Sequence, residues 1–304
     1  MSAASRMELC RIVRGVLDCL IVGGGPAGLT AAIYLARYRR SVAVFDDGKS
    51  RAAWIPKSHN YPGFPSGVSG RELLDLLQRQ ARSYDVELVR ERISFLEKSD
   101  TDFRAVYGDL EIHARRVLFA TGIVDEAPDF DGVEKAVLAG IVRYCPVCDA
   151  YEAIDRRIAV MGQGAGALAK ARFLRHYSDC VTLVLTEAPT SKHLKEAEEA
   201  GISVRLADSQ LEIKDGSIHV SGGLNGAETF DVLYPALGCS VGSELAVRLG
   251  AAANEVGCLV VDEHQKTTVG GIYAAGDVIS DLHQISVATG HAAIAATAIH
   301  KSLC

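Results

Sequence analysis

The sequence predicts an α/β protein of two Rossmann-like nucleotide-binding domains, the second inserted into the first. Three observations carry this expectation. A short apolar run, residues 17–22, leads into Gly23-Gly24-Gly25-Pro26-Ala27-Gly28. A second run, residues 158–161, leads into Gly162-Gln163-Gly164-Ala165-Gly166-Ala167, and the two fingerprints start 139 residues apart. After Gly238 the texture changes, as if the first domain resumes.

The elements follow in order. Residues 17–22 read as a buried parallel strand, because an apolar run ending in glycines suits a strand covered on both faces. Residues 28–38 place Leu29, Ala32, Ile33, Leu35 and Ala36 at helical spacing. Residues 41–45 form the next strand, closed by Asp46. Residues 71–84 read as an amphipathic helix, followed by short strands ending in residues 117–120. The plan then restarts: strand 158–161, helix 164–177, strand 181–185. Strand-like segments continue at 203–206, 211–214, 217–220 and 230–234. Residues 258–261 and 272–275 read as strands, and an Ala-rich helix runs from about Gln284 to Ser302. The expected layout is a lead-in at 1–16, a first nucleotide domain at 17–124 and 240–304, and an inserted domain at 125–239 joined by two connecting strands.

With 304 residues, 48% of them apolar, the chain can bury cores for two domains. A net charge of −6 and the lack of a long basic run argue against nucleic acid or an anionic membrane as the main partner. No apolar stretch is long enough to span a bilayer, and residues 1–16 lack the apolar core of a secretory signal. A cytoplasmic home follows, in which most of the eight cysteines stay reduced.

In Gly23-x-Gly25-x-x-Gly28 the first glycine permits a tight turn, the second lets backbone approach a pyrophosphate, and the third lets helix and strand pack closely. The helix N-terminus then offers unpaired N–H groups to phosphates. Asp46 stands where a carboxylate accepts ribose hydroxyls, with Asp47 as the alternative one register away. Cys145-Pro146-Val147-Cys148-Asp149 is the chemical centre. Two thiols three positions apart can close a reversible disulfide, and the adjacent carboxylate can move the proton that exchange needs. Half a zinc site or two unrelated core cysteines are the bland readings, and no second ligand pair with zinc spacing accompanies the first, so no metal is expected.

These motifs, with Asn60-Tyr61-Pro62-Gly63-Phe64, Ala120-Thr121-Gly122 and Gly271-Ile272-Tyr273-Ala274-Ala275-Gly276-Asp277, occur in an order that resembles the low-molecular-weight thioredoxin reductases over residues 17–303. The resemblance implies a homodimer of FAD-containing subunits. It implies that Gly23, Gly25, Pro26, Ala27, Gly28, Asp46, Asn60, Ala120, Thr121, Gly122, Gly276, Asp277, Gln284 and Ile285 surround FAD. It assigns Gly162, Gly164 and Ala167 to NADPH or NADH. Cys148 is then the thiol nearer the flavin, Cys145 the one that attacks the disulfide of thioredoxin or a similar small protein, and Asp149 the proton donor and acceptor.

The chain also departs from that family. NADPH-dependent relatives carry His-Arg-Arg after the second strand of the inserted domain; here Leu185, Thr186 and Glu187 stand there, and no arginine occurs between Arg175 and Arg205. Three readings follow: NADH in place of NADPH, a degenerate nicotinamide site fed by another donor, or the reverse direction, a dithiol oxidase passing electrons to oxygen. Phosphate contacts from Lys192 or Lys195 would instead preserve NADPH. A flavin-bearing redox sensor is the reading outside enzymology. Trp54 falls where the family has a flavin-contacting stretch, and His283 where arginine is common.

Overall fold

The structure, a computed structural model, describes residues 15–205, 210–222, 226–279 and 282–304, so residues 1–14 of the expected lead-in lie outside it. By its contacts the chain divides into two units. The first holds the described residues up to Ala53, with Arg71–Val124 and Val241–Cys304; the second holds Trp54–Gly70 and Asp125–Ser240.

The first unit is built on five parallel strands in the order Ile272–Ala274, Val117–Phe119, Cys19–Val22, Val42–Phe45 and Glu87–Val89. Cys19–Val22, Val42–Phe45 and Val117–Phe119 are buried along their length, which is why they read as unbroken apolar runs. The register pairs Cys19 with Val42 and Val22 with Phe45. The fingerprint follows the central strand, whose neighbours lie on both sides, at the crevice where such sheets bind ligands. Helix Pro26–Arg37 starts with proline in its first turn, where the fixed φ suits a helix start. It buries Leu29, Ala31, Ala32 and Leu35. The C-terminal helix, Ile285–Ser302, packs against it. Its buried face is Ala288, Ala292, Ala295, Ala296 and Ile299, and the four alanines suit close packing between helices. Tyr38 stacks on His300 at 4.6 Å and its hydroxyl meets Thr297 Oγ1 at 3.2 Å. A three-stranded antiparallel sheet, Phe95–Lys98, Phe103–Tyr107 and Leu110–Ala114, completes the unit.

The second unit repeats the plan with four parallel strands in the order Ser203–Arg205, Val181–Leu185, Ile158–Gly162 and Val232–Ala236. Helix Gly164–Leu174 follows the central strand. Residues 230–234, expected as one strand, are two. Glu228–Phe230 belongs to an antiparallel sheet with Gln210–Lys214 and Ser217–Ser221, while Val232–Ala236 enters the parallel sheet. The break is Asp231, whose carboxylate accepts the Arg157 N–H at 2.8 Å while its own N–H donates to the Arg157 carbonyl at 2.9 Å. Residues 258–261 are likewise not a strand but lie among isolated bridges. Asn254 Oδ1 takes the N–H of Cys258, and Leu259 N–H donates to Val278, so no continuous ladder forms.

The chain crosses between units through Ile123–Asp125 and Cys239–Val241, which pair with each other. Trp54–Gly70, inside the stretch that the sequence boundaries give to the first domain, groups with the second unit. No helix among the described residues is long and apolar enough to cross a membrane.

Candidate active site

Cys145 and Cys148 are joined by a disulfide, with S–S 2.08 Å and Cα–Cα 5.3 Å. Cys145 has extended backbone, φ −123° and ψ 96°, and precedes a single helical turn, Pro146–Asp149. Proline starts that turn, and the Cys148 N–H donates to the Cys145 carbonyl at 2.9 Å. The turn therefore brings the two sulfurs to one side. Both cysteines are half-buried, and Val147 between them is exposed.

Side chains from distant elements hold this run at both ends. Arg143 donates from Nη1 to the Asp149 carbonyl at 2.7 Å and from Nε to the Gly140 carbonyl at 2.8 Å. Lys170, on helix Gly164–Leu174, donates from Nζ to the carbonyls of Tyr144 at 3.1 Å and Pro235 at 2.5 Å. Tyr234, on strand Val232–Ala236 and 0% exposed, donates its hydroxyl to Asp149 Oδ1 at 2.8 Å. Asn60 Nδ2 donates to the Val147 carbonyl at 3.3 Å, within the second unit. Arg143, Lys170 and Tyr234 are absent from the sequence expectations. Lys170 carries a readable signal: it lies with Ala167, Ala171 and Leu174 on the buried stripe of its helix, where a cation needs partners.

Burial pushes the Asp149 carboxyl up to about 6, against the Tyr234 hydrogen bond and the positive charges of Arg143 and Lys170, with Glu152 adding to the rise. Burial and the Asp149 charge push Tyr234 up, so its hydroxyl keeps its proton and acts as donor. An acid–base group near neutral is what proton exchange with thiols requires. It also has a stability consequence. An unfolded carboxyl titrates near 4, so from about pH 4 to 6 the folded chain binds more protons, and stability is lost across that window as pH rises. Asp149→Asn is therefore expected to stabilise the protein by about 2 kcal/mol above pH 7 and to change little near pH 4. Thermal unfolding at the two pH values checks this.

The first unit forms a cradle. A Cβ on Gly23 would strike the Ala120 carbonyl, and one on Gly28 the Gly23 carbonyl. Gly25 caps helix Pro26–Arg37 without a side-chain bond, and no acid occupies the first turn. Its N–H groups and positive helix end are thus open to an anion. Asp46, not Asp47, faces the fingerprint: its Oδ1 accepts Gly24 N–H and its Oδ2 accepts Gly48 N–H, both at 3.1 Å. A Cβ on Gly276 would meet Ala27 at 3.0 Å and Ala288 at 3.6 Å, so Gly276-Asp277 returns to the starts of both long helices. Asp277 lies 4.0 Å from the Arg51 guanidinium. Gln284 caps the C-terminal helix, again with no side-chain cap and no acid in the first turn. Thr121 Oγ1 donates to the Gly242 carbonyl at 2.5 Å, and the Gly242 N–H to Gly122 at 2.9 Å. Apart from Asn60, the residues expected around FAD are all in this unit, and two open helix N-termini beside Cβ-free backbone fit a dinucleotide pyrophosphate.

The second fingerprint repeats the turn. A Cβ on Gly162 would lie 2.5 Å from the Ala236 carbonyl, Gly164 has φ +62°, and Ala167 is buried against the sheet. Gln163 caps the helix without a side-chain bond; its Oε1 accepts from Thr186 Oγ1 at 3.3 Å. Leu185 is 6% exposed and part of the core, and Glu187 is exposed. Lys192 and Lys195 pair with Glu196 and Glu199 along their own helix, and Arg172 also reaches Glu196. Trp54 is 38% exposed and His283 is half-buried. Among the described residues no group of three or more His, Cys, Asp or Glu could hold a metal ion.

Residues 17–292 match the pyridine nucleotide-disulphide oxidoreductase family. The thioredoxin reductase of Aquifex aeolicus (strain VF5) is 30% identical over 307 residues, covering 95% of this chain and 94% of the relative. That of Mycolicibacterium smegmatis is 30% identical, covering 93% and 94%. The crystal structure of thioredoxin reductase from Streptococcus pyogenes MGAS5005 superposes with a TM-score of 0.87 at 27% identity, covering 95% of this chain and 98% of that one. Likeness of this extent, from end to end and in both units, settles the family: the chain belongs to the pyridine nucleotide-disulphide oxidoreductases, in the low-molecular-weight thioredoxin reductase group of FAD-dependent disulfide oxidoreductases.

Proposed function

We propose that this chain reduces the disulfide of a thioredoxin-like protein through Cys145 and Cys148, drawing electrons from NADH. The observation that carries the reading is the closed Cys145–Cys148 disulfide followed by Asp149, a carboxyl that burial brings close to neutral. Bound in the first unit, FAD supplies two-electron transfer between a nicotinamide nucleotide and a disulfide. In the reduced dithiol, the Cys145 thiolate attacks one sulfur of the substrate disulfide and displaces the other as a thiolate. The Cys148 thiolate then attacks the Cys145 sulfur, restores the Cys145–Cys148 bond and releases the second substrate thiolate. Two electrons pass to the substrate, and Asp149 takes a thiol proton and returns it to a leaving thiolate. The reading extends to a homodimer in the cytoplasm, which rests on the family resemblance.

The donor follows from charge. Leu185 is in the core, Glu187 repels a 2′-phosphate, and no arginine stands between Arg175 and Arg205 to grip one. Because a single hydrogen bond to a charged group contributes ~1.5 kcal/mol or more, kcat/KM should favour NADH over NADPH by roughly tenfold or more. Steady-state reduction of a thioredoxin with each nucleotide measures this, and a preference for NADPH would overturn it. Oxygen uptake driven by a small dithiol, with neither nucleotide active, would put the oxidase reading in its place.

A further inference from the structure

We infer that Tyr234 is a positioning residue for the dithiol chemistry: its buried hydroxyl orients the Asp149 carboxyl and favours that carboxyl's deprotonated form. The inference rests on the proposed role of Asp149 and goes beyond it, to a residue 85 positions away in the chain.

The geometry is restrictive. Tyr234 is among the largest fully buried side chains of the protein, and a buried phenol needs a hydrogen-bond partner. Its partner is Asp149 Oδ1 at 2.8 Å. The strand that carries it is fixed: Tyr234 lies opposite Val160 in the parallel sheet, and the carbonyl of Pro235 is bound by Lys170, which also holds Tyr144 beside Cys145. The same lysine therefore ties the strand of Tyr234 to the start of the dithiol run.

The charged groups around Asp149 come from each neighbouring element. Glu152 follows on its own turn and opposes ionisation; Arg143 precedes the dithiol and Lys170 comes from the helix, and both favour it. Arg143 donates from Nη1 to the Asp149 backbone carbonyl and from Nε to Gly140 and also interacts with the Tyr234 hydroxyl, while Lys170 spends Nζ on two carbonyls. Among the described residues the hydroxyl of Tyr234 is thus the group seen bonded directly to the carboxyl. A phenylalanine at 234 would fill nearly the same volume, so the hydroxyl is the part whose role is separable from packing. Donation from a neutral phenol stabilises the carboxylate over the acid.

The test uses the FAD-loaded protein, prereduced, with single-turnover reduction of a thioredoxin disulfide followed against pH. If deprotonated Asp149 takes the thiol proton, the rate rises with pH through the Asp149 titration. Tyr234→Phe should move that limb up by about one pH unit, a tenfold change in proton affinity, slowing the reaction about tenfold below pH 6 and little above pH 8. FAD content should be unchanged, and in an Asp149→Asn background Tyr234→Phe should have no further effect on the profile. A second readout needs no turnover: the Asp149 carboxyl stretch, isolated as the infrared difference between wild type and Asp149→Asn, should titrate at higher pH in Tyr234→Phe. A limb and an infrared midpoint left at their wild-type pH would overturn the inference. A shifted infrared midpoint with a rate that ignores Asp149→Asn would uphold the bond and instead remove Asp149 from the chemistry.

Discussion

Cys145→Ser is expected to lose disulfide reduction by about a thousandfold or more, the scale seen when a covalent nucleophile is removed. A serine hydroxyl is not ionised near neutral pH and cannot displace a thiolate from sulfur, whereas a cysteine beside an acid–base group can. Cys148→Ser should fail differently. Cys145 can still attack, but nothing resolves the mixed disulfide, so a covalent adduct with the substrate accumulates. Steady-state rates measure the first loss, and intact-protein mass under non-reducing conditions detects the adduct. Both variants should retain FAD, because the cradle of Gly23, Gly25, Gly28 and Asp46 belongs to the other unit. A Cys145→Ser protein that still turns over a protein disulfide would remove the dithiol from the reaction.

Gly28→Ala should abolish FAD retention. The added Cβ would drive into the backbone carbonyl of Gly23, which cannot rotate away as a side chain would, and it would also approach Ala120 at 3.3 Å. Relief requires the helix to move off the sheet, at a cost of roughly 2 to 3 kcal/mol by analogy with overpacked cores. The shift would carry the open N–H groups away from the pyrophosphate. The flavin-to-protein absorbance ratio after desalting reports the loss. Gly166→Ala in the second fingerprint is the control: nothing lies within 4 Å of its Cβ, so it should fold and hold FAD like the parent. Full flavin content in Gly28→Ala would show that this helix and strand do not need their close approach.

Much of this architecture is written locally. The parallel strands Cys19–Val22, Val42–Phe45, Ile158–Gly162 and Val181–Leu185 are almost wholly apolar, Thr182 apart, because sheets covered on both faces demand it. Both fingerprints are legible because only glycine tolerates their close backbone contacts. What local pattern does not carry is partnership. The break at Asp231 depends on Arg157, which no window around residues 230–234 contains. Residues 258–261 have strand composition, but Asn254 and Val278 take their backbone groups.

The candidate site divides the same way. Cys145, Cys148 and Asp149 announce themselves by spacing. Arg143, Lys170 and Tyr234 come from three elements that only folding brings together, and two of them bind carbonyls, which leave no trace in sequence. Asn60 was readable as part of a motif, yet its amide donates to the Val147 carbonyl in the dithiol turn. The resemblance alone could not supply that contact. The missing arginine cluster after Leu185 was visible at once, because the absence of a charge needs no fold to interpret.

Electrons from a nicotinamide nucleotide are expected to reach the Cys145–Cys148 disulfide. The FAD-loaded protein is reduced anaerobically with NADH, and in parallel with NADPH, then quenched with an alkylating reagent and its cysteines mapped by mass. Alkylation of Cys145 and Cys148 after reduction, and of neither before it, is the predicted result; a bleached flavin with these two cysteines still joined would show that the flavin does not pass its electrons to this disulfide.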